Sequence, residues 1–261
     1  MAGRTLYLPR LSLRFVHVWR RNRLVWRKLA IPSMLGNLAD PMIYMLGLGY
    51  GLGAMLPEVG GTSYIAFLAA GTVCSSTMMS ASFESMYSSF SRMHVQRTWD
   101  AIMNAPVTLE DVVAGEAVWA ASKAFLSGTA VLLVAAALGL VTSALALWVL
   151  PLIFLTGLAF GGLGLVMTSL SPSYDFFMYY FTLAITPMML ASGVFFPVEQ
   201  LPGWLQAVSH VLPLTHAVEL ARPLMLGALP ASAGLHVLVL AAYAAVSLYA
   251  ALVLARRRLL R

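Results

Sequence analysis

Long apolar stretches alternate with short polar connections along the 261 residues of the chain. Six stretches approach or exceed the length that a helix needs to cross a bilayer, about 20 apolar residues. They lie at 30–53, 63–88, 112–141, 146–170, 175–196 and 232–255. We therefore predict an all-α integral membrane protein with one domain over 1–261, divided into an interface segment, six transmembrane helices and a basic tail: 1–28, 30–255 and 256–261.

The segment before the first apolar stretch has two different faces when residues 10–26 are drawn as a helix. Basic side chains occupy one face and apolar side chains the other: Arg10, Arg14, His17 and Arg21 against Leu11, Phe15 and Val18. A helix with this pattern lies in the plane of the membrane interface, and we predict that location for it. A disordered basic tail is the alternative.

A polar connection at 89–111 contains a shorter segment, 93–105, with helical character. Pro106 ends that segment because the residue before a proline disfavours the α region. Thr108, with Asp111 three residues later, approximates a capping box and starts the next helix. The connection is therefore predicted to be a compact helical elbow. Three of its side chains are expected to make apolar contacts: Trp99, Ile102 and Met103.

The connection at 197–231 holds five prolines and two apolar segments that are too short to cross a membrane. We predict two re-entrant helices that dip partway into the outer leaflet. Backbone at that depth must be buried in protein or line a cavity. Glu219 and Arg222 lie three residues apart on the second segment and are expected to form an ion pair.

Charge gives the topology. Only 10% of the residues are charged, 60% are hydrophobic, and the mean hydropathy is +0.83. Fifteen of the 16 Lys and Arg residues fall in three patches, at 4–28, 92–123 and 256–261. An even number of predicted spans separates each patch from the next, so all three face one compartment, and the positive-inside bias identifies it as the cytoplasm. Both termini are therefore predicted to be cytoplasmic, with the basic residues near lipid headgroups rather than nucleic acid.

Several kinds of chemistry are absent from the sequence. No Walker A motif occurs, since no glycine precedes either lysine, Lys28 or Lys123. The chain is therefore expected to bind no ATP in that manner, and no cofactor. No His-Glu-x-x-His, Cys-x-x-Cys or aspartate-rich metal motif occurs either, and we predict no metal site. The single cysteine, Cys74, excludes an internal disulfide and is interpreted as a packing residue.

Two of the carboxylates in the predicted spans carry an interpretation. Asp40 is deep in the first span and Pro41 follows it. Because a charge is costly in lipid, Asp40 is interpreted as part of a helix break that lines a substrate path. A capped kink at the start of an embedded helix is the alternative. Glu84 is expected at the hydrated cytoplasmic end of the second span, with a structural role.

Small residues recur at helical spacing in two spans. They form small-xxx-small pairs, which let helices approach closely: Gly47 with Gly51, Gly49 with Gly53, and Gly157 with Gly161. These pairs predict tight packing in the bundle. Dimerisation through them stays open.

Three segments carry a resemblance to a known family. They are Gly-Val-Phe-Phe-Pro-Val-Glu-Gln-Leu-Pro-Gly-Trp-Leu-Gln at 193–206, Leu-Pro-Leu-Thr-His-Ala-Val-Glu at 212–219, and Arg-Met-His-Val-Gln-Arg-Thr-Trp-Asp-Ala-Ile-Met-Asn-Ala-Pro-Val at 92–107. Over nearly its whole length the chain resembles permease subunits of ABC-2 type exporters, in particular the subgroup with the nodulation-factor (lipochitooligosaccharide) exporter permease. The resemblance implies six membrane helices, an N-terminal interface helix and outer re-entrant helices. It also implies that two permeases work with two separate ATPase subunits, which bind ATP and magnesium.

The resemblance further implies two sites. Residues 93–105 hold a coupling helix that contacts the ATPase, with five candidate contacts: Arg97, Trp99, Asp100, Ile102 and Met103. A translocation path lies at the interface of the permease dimer and is partly lined by spans 1, 2 and 5. Its candidate lining residues are Asp40, Tyr44, Phe83, Tyr87, Tyr179 and Phe195. The aromatic members have an alternative interpretation as ordinary packing or lipid-facing residues.

The expected cargo is an amphipathic glycolipid or lipooligosaccharide that moves outward across the bacterial inner membrane. So few charges lie within the spans that small ions are disfavoured as cargo. O-antigen-type polysaccharide or a hydrophobic drug is the alternative cargo. An intramembrane lipid-modifying enzyme is a distant alternative, because neither paired intramembrane aspartates nor a Gly-x-Ser-x-Gly elbow occurs.

Overall fold

The computed structural model describes residues 12–56 and 58–259. The chain is almost entirely helical there. Its α-helices are α1 Phe15–Trp26, α2 Ala30–Gly51, α3 Tyr64–Phe83, α4 Thr98–Met103, α5 Leu109–Ala137, α6 Val149–Leu170, α7 Phe176–Tyr180, α8 Thr186–Ala191, α9 Gly203–Ser209, α10 Pro213–Leu226 and α11 Ala233–Leu259. Arg10 and Leu11 of the predicted interface helix, and residues 260–261 of the basic tail, lie outside the described residues.

Four of the helical segments are long and apolar enough to cross a membrane: Tyr64–Val95, Leu109–Ala137, Ala144–Leu170 and Ala233–Leu259. Their bounds match four predicted spans to within four residues, except that the first segment ends at Val95 instead of residue 88. A multi-pass membrane protein is thus confirmed. The first predicted span is the 22-residue α2, which is about 33 Å long at 1.5 Å per residue but is not one of these four. The fifth is the shorter apolar segment Phe176–Ala191.

The bundle is built around α3, α5, α6 and α11. Helix α6 packs against the other three, and α10 fills the space between α3, α6 and α11. Helix α3 is buried along nearly its whole length. Its many alanine, glycine and serine residues let neighbouring helices approach closely, so α3 contributes few large side chains to the main core. Larger residues from other helices complete that core, among them Met45, Ile153, Phe160 and Leu214.

Of the three candidate glycine pairs, Gly157 with Gly161 lies wholly at a helix contact inside the chain. A Cβ on Gly157 would lie 3.0 Å from the Ala121 Cα, and one on Gly161 would lie 3.3 Å from the Ala120 Cβ, so both allow the close approach of α5 and α6. Nothing lies within 4 Å of a Cβ placed on Gly47 or Gly51. Packing through Gly47 and Gly51 is therefore not found within the described residues. Gly49 of the third pair does lie at a contact, since a Cβ there would lie 2.7 Å from the Ile65 side chain on α3.

A very short hairpin precedes α3 and departs from the predicted all-helical architecture. Its strands are Glu58–Val59 and Thr62–Ser63, paired antiparallel. Gly60 and Gly61 form the turn with φ angles of +61° and +77°, which only glycine adopts without strain. The hairpin closes the connection between α2 and α3.

Helix α3 does not end where the second span was predicted to end. It continues through two π-helical segments, Glu84–Ser88 and Ser91–Val95. Arg97 then takes a left-handed conformation (φ 49°) and α4 starts at Thr98. The predicted helix at 93–105 is therefore wrong at its start, since 93–95 still belong to α3. The predicted capping box is confirmed: the Asp111 backbone N–H donates to Thr108, and the Asp111 carboxylate accepts from the Thr108 backbone N–H.

Candidate functional site

A cavity of about 420 Å³ lies between α2, α3 and α8. One wall consists of hydroxyl side chains on a single face of α3: Thr72, Ser75, Ser76 and Ser80. Thr72, Ser76 and Ser80 recur every four residues and Ser75 follows Thr72 by three, which places all four on that face. Ser76 and Ser127 share a hydrogen bond of 2.9 Å, and the Asn37 amide donates to Ser80 over 3.5 Å. This wall therefore offers both donors and acceptors to a polar molecule.

The opposite wall carries aromatic rings and one carboxylate. Tyr44 and Phe195 lie with ring centres 6.4 Å apart, and both line the cavity with Phe83. Asp40 also lines it and is exposed. Helix α2 runs unbroken through Asp40 and Pro41. The predicted helix break is therefore wrong, although the carboxylate does face a cavity.

Two of the six candidate path residues lie elsewhere. Tyr87 is packed among other rings, 5.4 Å from Phe83 and 5.2 Å from Phe177 between ring centres. Tyr179 is 64% exposed on the surface of α7. Neither lines the cavity, so the structure brings together four of the six residues: Asp40, Tyr44, Phe83 and Phe195.

A buried cluster of charges lies next to the cavity along the extension of α3, on the side toward α4. The Arg92 guanidinium bridges the carboxylates of Glu84 and Glu116, at 2.9 Å from Glu84, and the Lys123 ammonium lies 2.9 Å from Glu84. Trp119 donates its indole N–H to Glu84 over 2.8 Å. Glu84 is 4% exposed, so the expected hydrated position of its carboxylate is wrong.

The charge cluster joins three helical elements of the chain. Glu84 and Arg92 lie on the extension of α3, and Glu116 lies on α5. The indole N–H of Trp99, on α4, donates to Glu116 over 3.3 Å. Sequence reasoning considered Glu84 alone and missed the cluster. A signal was present, since Glu116 and Lys123 lie within the third predicted span and Arg92 follows the second by four residues, in stretches that carry few other charges.

Trp99 does not face outward from the elbow. It is 1% exposed and packs with Val18, Met93 and Val112. Ile102 and Met103 are half-buried against the same group. The prediction that Trp99 contacts the ATPase is therefore corrected, because its ring is buried inside the chain. The side chains that α4 and its flanks do present are Val95, Arg97, Asp100, Ala101 and Asn104.

Helix α1 packs along α5, with Val18 against Gly115. The buried members of α1 are Val18 and Asn22, while Arg14, His17 and Arg20 are exposed. The described part of the predicted two-faced helix is therefore confirmed as a helix. Burial lowers the pKa of Arg21, and repulsion from Arg92 adds to that effect while Glu116 opposes it.

Arg222 lies on α10 and its side chain turns into the bundle. Its guanidinium is 3.6 Å from the centre of the Phe67 ring and donates to the Gly193 carbonyl. The expected ion pair with Glu219 is not formed. Gly193, at φ +72°, ends the helical segment at Ala191, which explains why the fifth predicted span is too long. Among the described residues, no group of three or more His, Cys, Asp or Glu is placed to hold a metal ion.

A bundle of apolar helices around an open cavity, without a nucleotide-binding motif in its sequence, has the character of a transport permease. The chain belongs to the ABC-2 type transporter family, whose sequence profile matches residues 14–226.

Individual relatives agree with this family. The chain is 51% identical to Nodulation protein J of Rhizobium meliloti over 253 residues, which cover 97% of each protein. It is 49% identical to Nodulation protein J of Bradyrhizobium diazoefficiens over 259 residues, 99% of each. The Inner membrane transport permease YadH of Escherichia coli is 23% identical over 203 residues, 77% of this chain and 78% of that permease. The predicted family and subgroup are thus confirmed, and the chain is a transport subunit.

Proposed function

We propose that the chain is the permease subunit of an ATP-driven exporter that moves a lipooligosaccharide or glycolipid outward across the bacterial inner membrane. Two copies would form the transport path, with two separate ATPase subunits that bind ATP and magnesium. Full-length similarity to nodulation proteins supports this choice of cargo. O-antigen-type polysaccharide and a hydrophobic drug are the competing cargoes.

The lining of the cavity is the observation that carries the proposal. A row of hydroxyl groups on α3 faces the rings of Tyr44 and Phe195 across about 420 Å³. Sugar hydroxyls suit the first wall, while sugar faces and acyl chains suit the second. Tyr44 is 52% exposed and Asp40 is also exposed, so this cavity is open on the α2 side. A second copy placed against α2 would complete it.

The proposed topology follows from charge and from the element order. Helix α2 and the segment α7–α8 would complete a set of six spans. Both termini and α4 would face the cytoplasm, and α9 with α10 would be re-entrant from the outer side. The buried, mostly apolar surface of α10 supports its insertion into the bundle.

The proposed ATPase contact uses the exposed face of the elbow rather than Trp99. Arg97, Asp100 and Asn104 are exposed there, and Ile102 and Met103 are half-buried at the edge. Behind this face, Trp99 links α4 to the charge cluster. A push on α4 would therefore reach α3 and α5 through contacts that are already formed.

Co-purification with the ATPase encoded by a neighbouring gene tests the proposal, followed by ATPase measurements in lipid vesicles. Lipochitooligosaccharide is expected to stimulate hydrolysis more than polysaccharide or a hydrophobic drug does. Tyr44→Ala should reduce that stimulation about fivefold, the effect of losing one aromatic contact. Tyr179→Ala is the matched control, because Tyr179 is also more than half exposed but does not line the cavity.

Each cargo predicts a different result. Stimulation by polysaccharide or by the drug alone would replace the glycolipid with that cargo. Equal loss in both tyrosine variants would remove the cavity from the transport path. Chemical turnover of a lipid by the chain without any ATPase would support the intramembrane enzyme instead.

A further inference from the structure

A second cavity, of about 600 Å³, lies on the outside of the bundle between α1, α5 and α6. Three residues of α1 line one side of this outer groove: Trp19, Arg23 and Trp26. Apolar side chains of α5 and α6 line the other, among them Phe125, Leu150 and Phe154. Its volume is within the range of small-molecule sites in proteins, about 300–1,000 Å³. The groove is distinct from the central cavity, with which it shares no lining residue.

The walls of the outer groove are fixed by specific contacts. The Trp19 indole N–H donates to the Ser122 hydroxyl over 3.0 Å, and the Trp26 indole N–H donates to Ser33 over 3.0 Å. Trp26 and Trp119 meet edge to face with ring centres 5.8 Å apart. The groove is therefore preformed, and an apolar chain entering it would not need to order these side chains first.

Charge at the mouth of the groove selects the headgroup. The Arg23 guanidinium lies 5.4 Å from the centre of the Trp19 ring, which holds it at the edge of the groove. Arg20, Arg27 and Lys28 are exposed nearby on the same segment. The sequence has no acidic residue before Asp40, so these cations have no carboxylate on their own segment. An occupant with an apolar chain and a negative headgroup fits both parts of the groove.

The groove is closed toward the central cavity. The space behind Trp26 and Leu126, bounded on its far side by Asn37 and Ser127, measures about 10 Å³. That volume holds one water at most and excludes an acyl chain. A molecule in the outer groove therefore stays there, as a bound membrane lipid does, and is not cargo on its way to the central cavity.

We propose that the outer groove binds one anionic phospholipid, with an acyl chain between α5 and α6 and the phosphate at Arg23. The lipid fixes α1 against α5. This inference does not depend on the identity of the exported cargo. Phosphate is the group that matches the guanidinium best, because it accepts paired, charge-assisted hydrogen bonds.

Native mass spectrometry of the purified full-length chain tests the proposal, with phosphatidylglycerol and phosphatidylcholine as the two probes. Wild-type chain is expected to retain phosphatidylglycerol in preference to phosphatidylcholine. Arg23→Gln should weaken phosphatidylglycerol binding about fivefold, the contribution of one interfacial basic residue. Arg23→Lys should keep most of the binding. Arg97→Gln changes an exposed arginine that immediately precedes α4 and does not line the groove, so this matched control should bind phosphatidylglycerol as wild type does.

Several outcomes would overturn the proposal. Equal retention of the two lipids by wild type, or unchanged phosphatidylglycerol binding in Arg23→Gln, would leave no headgroup site. Preferential retention of a lipooligosaccharide that Arg23→Gln abolishes would make the groove a cargo site. If Arg23→Gln does not purify as a folded chain, Leu150→Trp tests the apolar end of the groove. The indole ring would fill the space proposed for the acyl chain. Wild-type phosphatidylglycerol binding in Leu150→Trp would then refute the proposal.

Discussion

Arg92 is within hydrogen-bonding distance of two buried carboxylates, those of Glu84 and Glu116. Removal of this one cation would leave two buried negative charges with Lys123 alone. We predict that Arg92→Met lowers the free energy of unfolding by about 3–5 kcal/mol, the usual cost of breaking a buried charge pair. Thermal unfolding of the detergent-solubilised chain measures it. Arg97→Met removes an exposed arginine nearby and should change stability by less than about 0.5 kcal/mol.

If Arg92→Met and Arg97→Met had similar free energies of unfolding, water would have to reach the charge cluster and replace Arg92.

Trp99 gives a second prediction for a single side chain. Trp99→Ala should lower the free energy of unfolding by about 3–5 kcal/mol, because a large buried ring is lost and Glu116 loses a donor. The loss should occur without any ATPase present. Asp100→Ala, on the exposed side of the same helix, should leave stability unchanged and weaken ATPase binding in a pull-down assay. A stable Trp99→Ala chain that fails to bind the ATPase would restore Trp99 as a direct contact.

The sequence predicted single residues well where chemistry is local and poorly where distant elements meet. The capping box of Thr108 and Asp111 depends only on a spacing of three residues, and its prediction was confirmed. The inward direction of Trp99 depends on α1, α5 and α11, which pack around it. The same limit applies to Glu84, whose three partners come from positions up to 39 residues away. Spacing alone does not bring such groups together.

At the scale of elements, the α5–α6 contact depends on glycines. Gly161→Leu would push its side chain into Ala120, since a Cβ alone already lies 3.3 Å from that residue. We predict a loss of about 1–3 kcal/mol, the usual cost of overpacking, and loss of detergent-stable assembly. Gly47→Leu is the control, because nothing lies within 4 Å of its Cβ in the chain. Size-exclusion chromatography and thermal unfolding measure both, and normal assembly of Gly161→Leu would refute this role.

The α10–α11 contact should respond to pH. His216 and His236 share a hydrogen bond of 2.8 Å between their Nδ1 atoms, so one ring must be neutral to accept. Burial lowers the pKa of His216, a hydrogen bond with the His210 carbonyl opposes this, and the nearby His236 adds to the lowering. The unfolded chain, with a histidine pKa near 6.5, therefore binds the proton first. This contribution to stability is complete above about pH 6.5 and is lost as pH falls below it.

The measurement is the unfolding temperature from pH 7.5 to pH 5. His216→Gln should flatten part of the decline, while His17→Gln, exposed on α1, should not. Parallel declines in the wild type and in His216→Gln would assign the pH response to other groups.

Elements were predictable to different degrees. Four spans were predicted to within four residues, apart from the C-terminal end of the second, because each is long and continuously apolar. The π-helical segments at Glu84–Ser88 and Phe181–Ile185 were not, since their extra residue per turn leaves no mark in the hydropathy pattern. Helix α2 was predicted with a break at Asp40 but is continuous through Pro41.

At the scale of the whole molecule, one helical segment connects the two candidate sites. Tyr64–Val95 carries the hydroxyl wall of the cavity, then the charge cluster, and ends beside α4. The family resemblance placed spans 1, 2 and 5 around one space. Four of the six path residues predicted from it do line the cavity. The polar wall itself was missed. Serine and threonine in an apolar span give no signal until the packing shows which face is open.

Every functional proposal depends on which way the segment Tyr64–Val95 is oriented in the membrane. We predict that α4 faces the cytoplasm and α9 the outside, because the basic patches favour the cytoplasm for α4. Two exposed positions test it in a Cys74→Ala background, which removes the single native thiol: Asn104→Cys at the end of α4 and Ala207→Cys on α9. In intact cells, a membrane-impermeant maleimide should label Ala207→Cys and spare Asn104→Cys. Permeabilised cells should label both, since both positions are exposed. Labelling of Asn104→Cys in intact cells would invert the topology, and an ATPase in the cytoplasm would then be unable to reach α4.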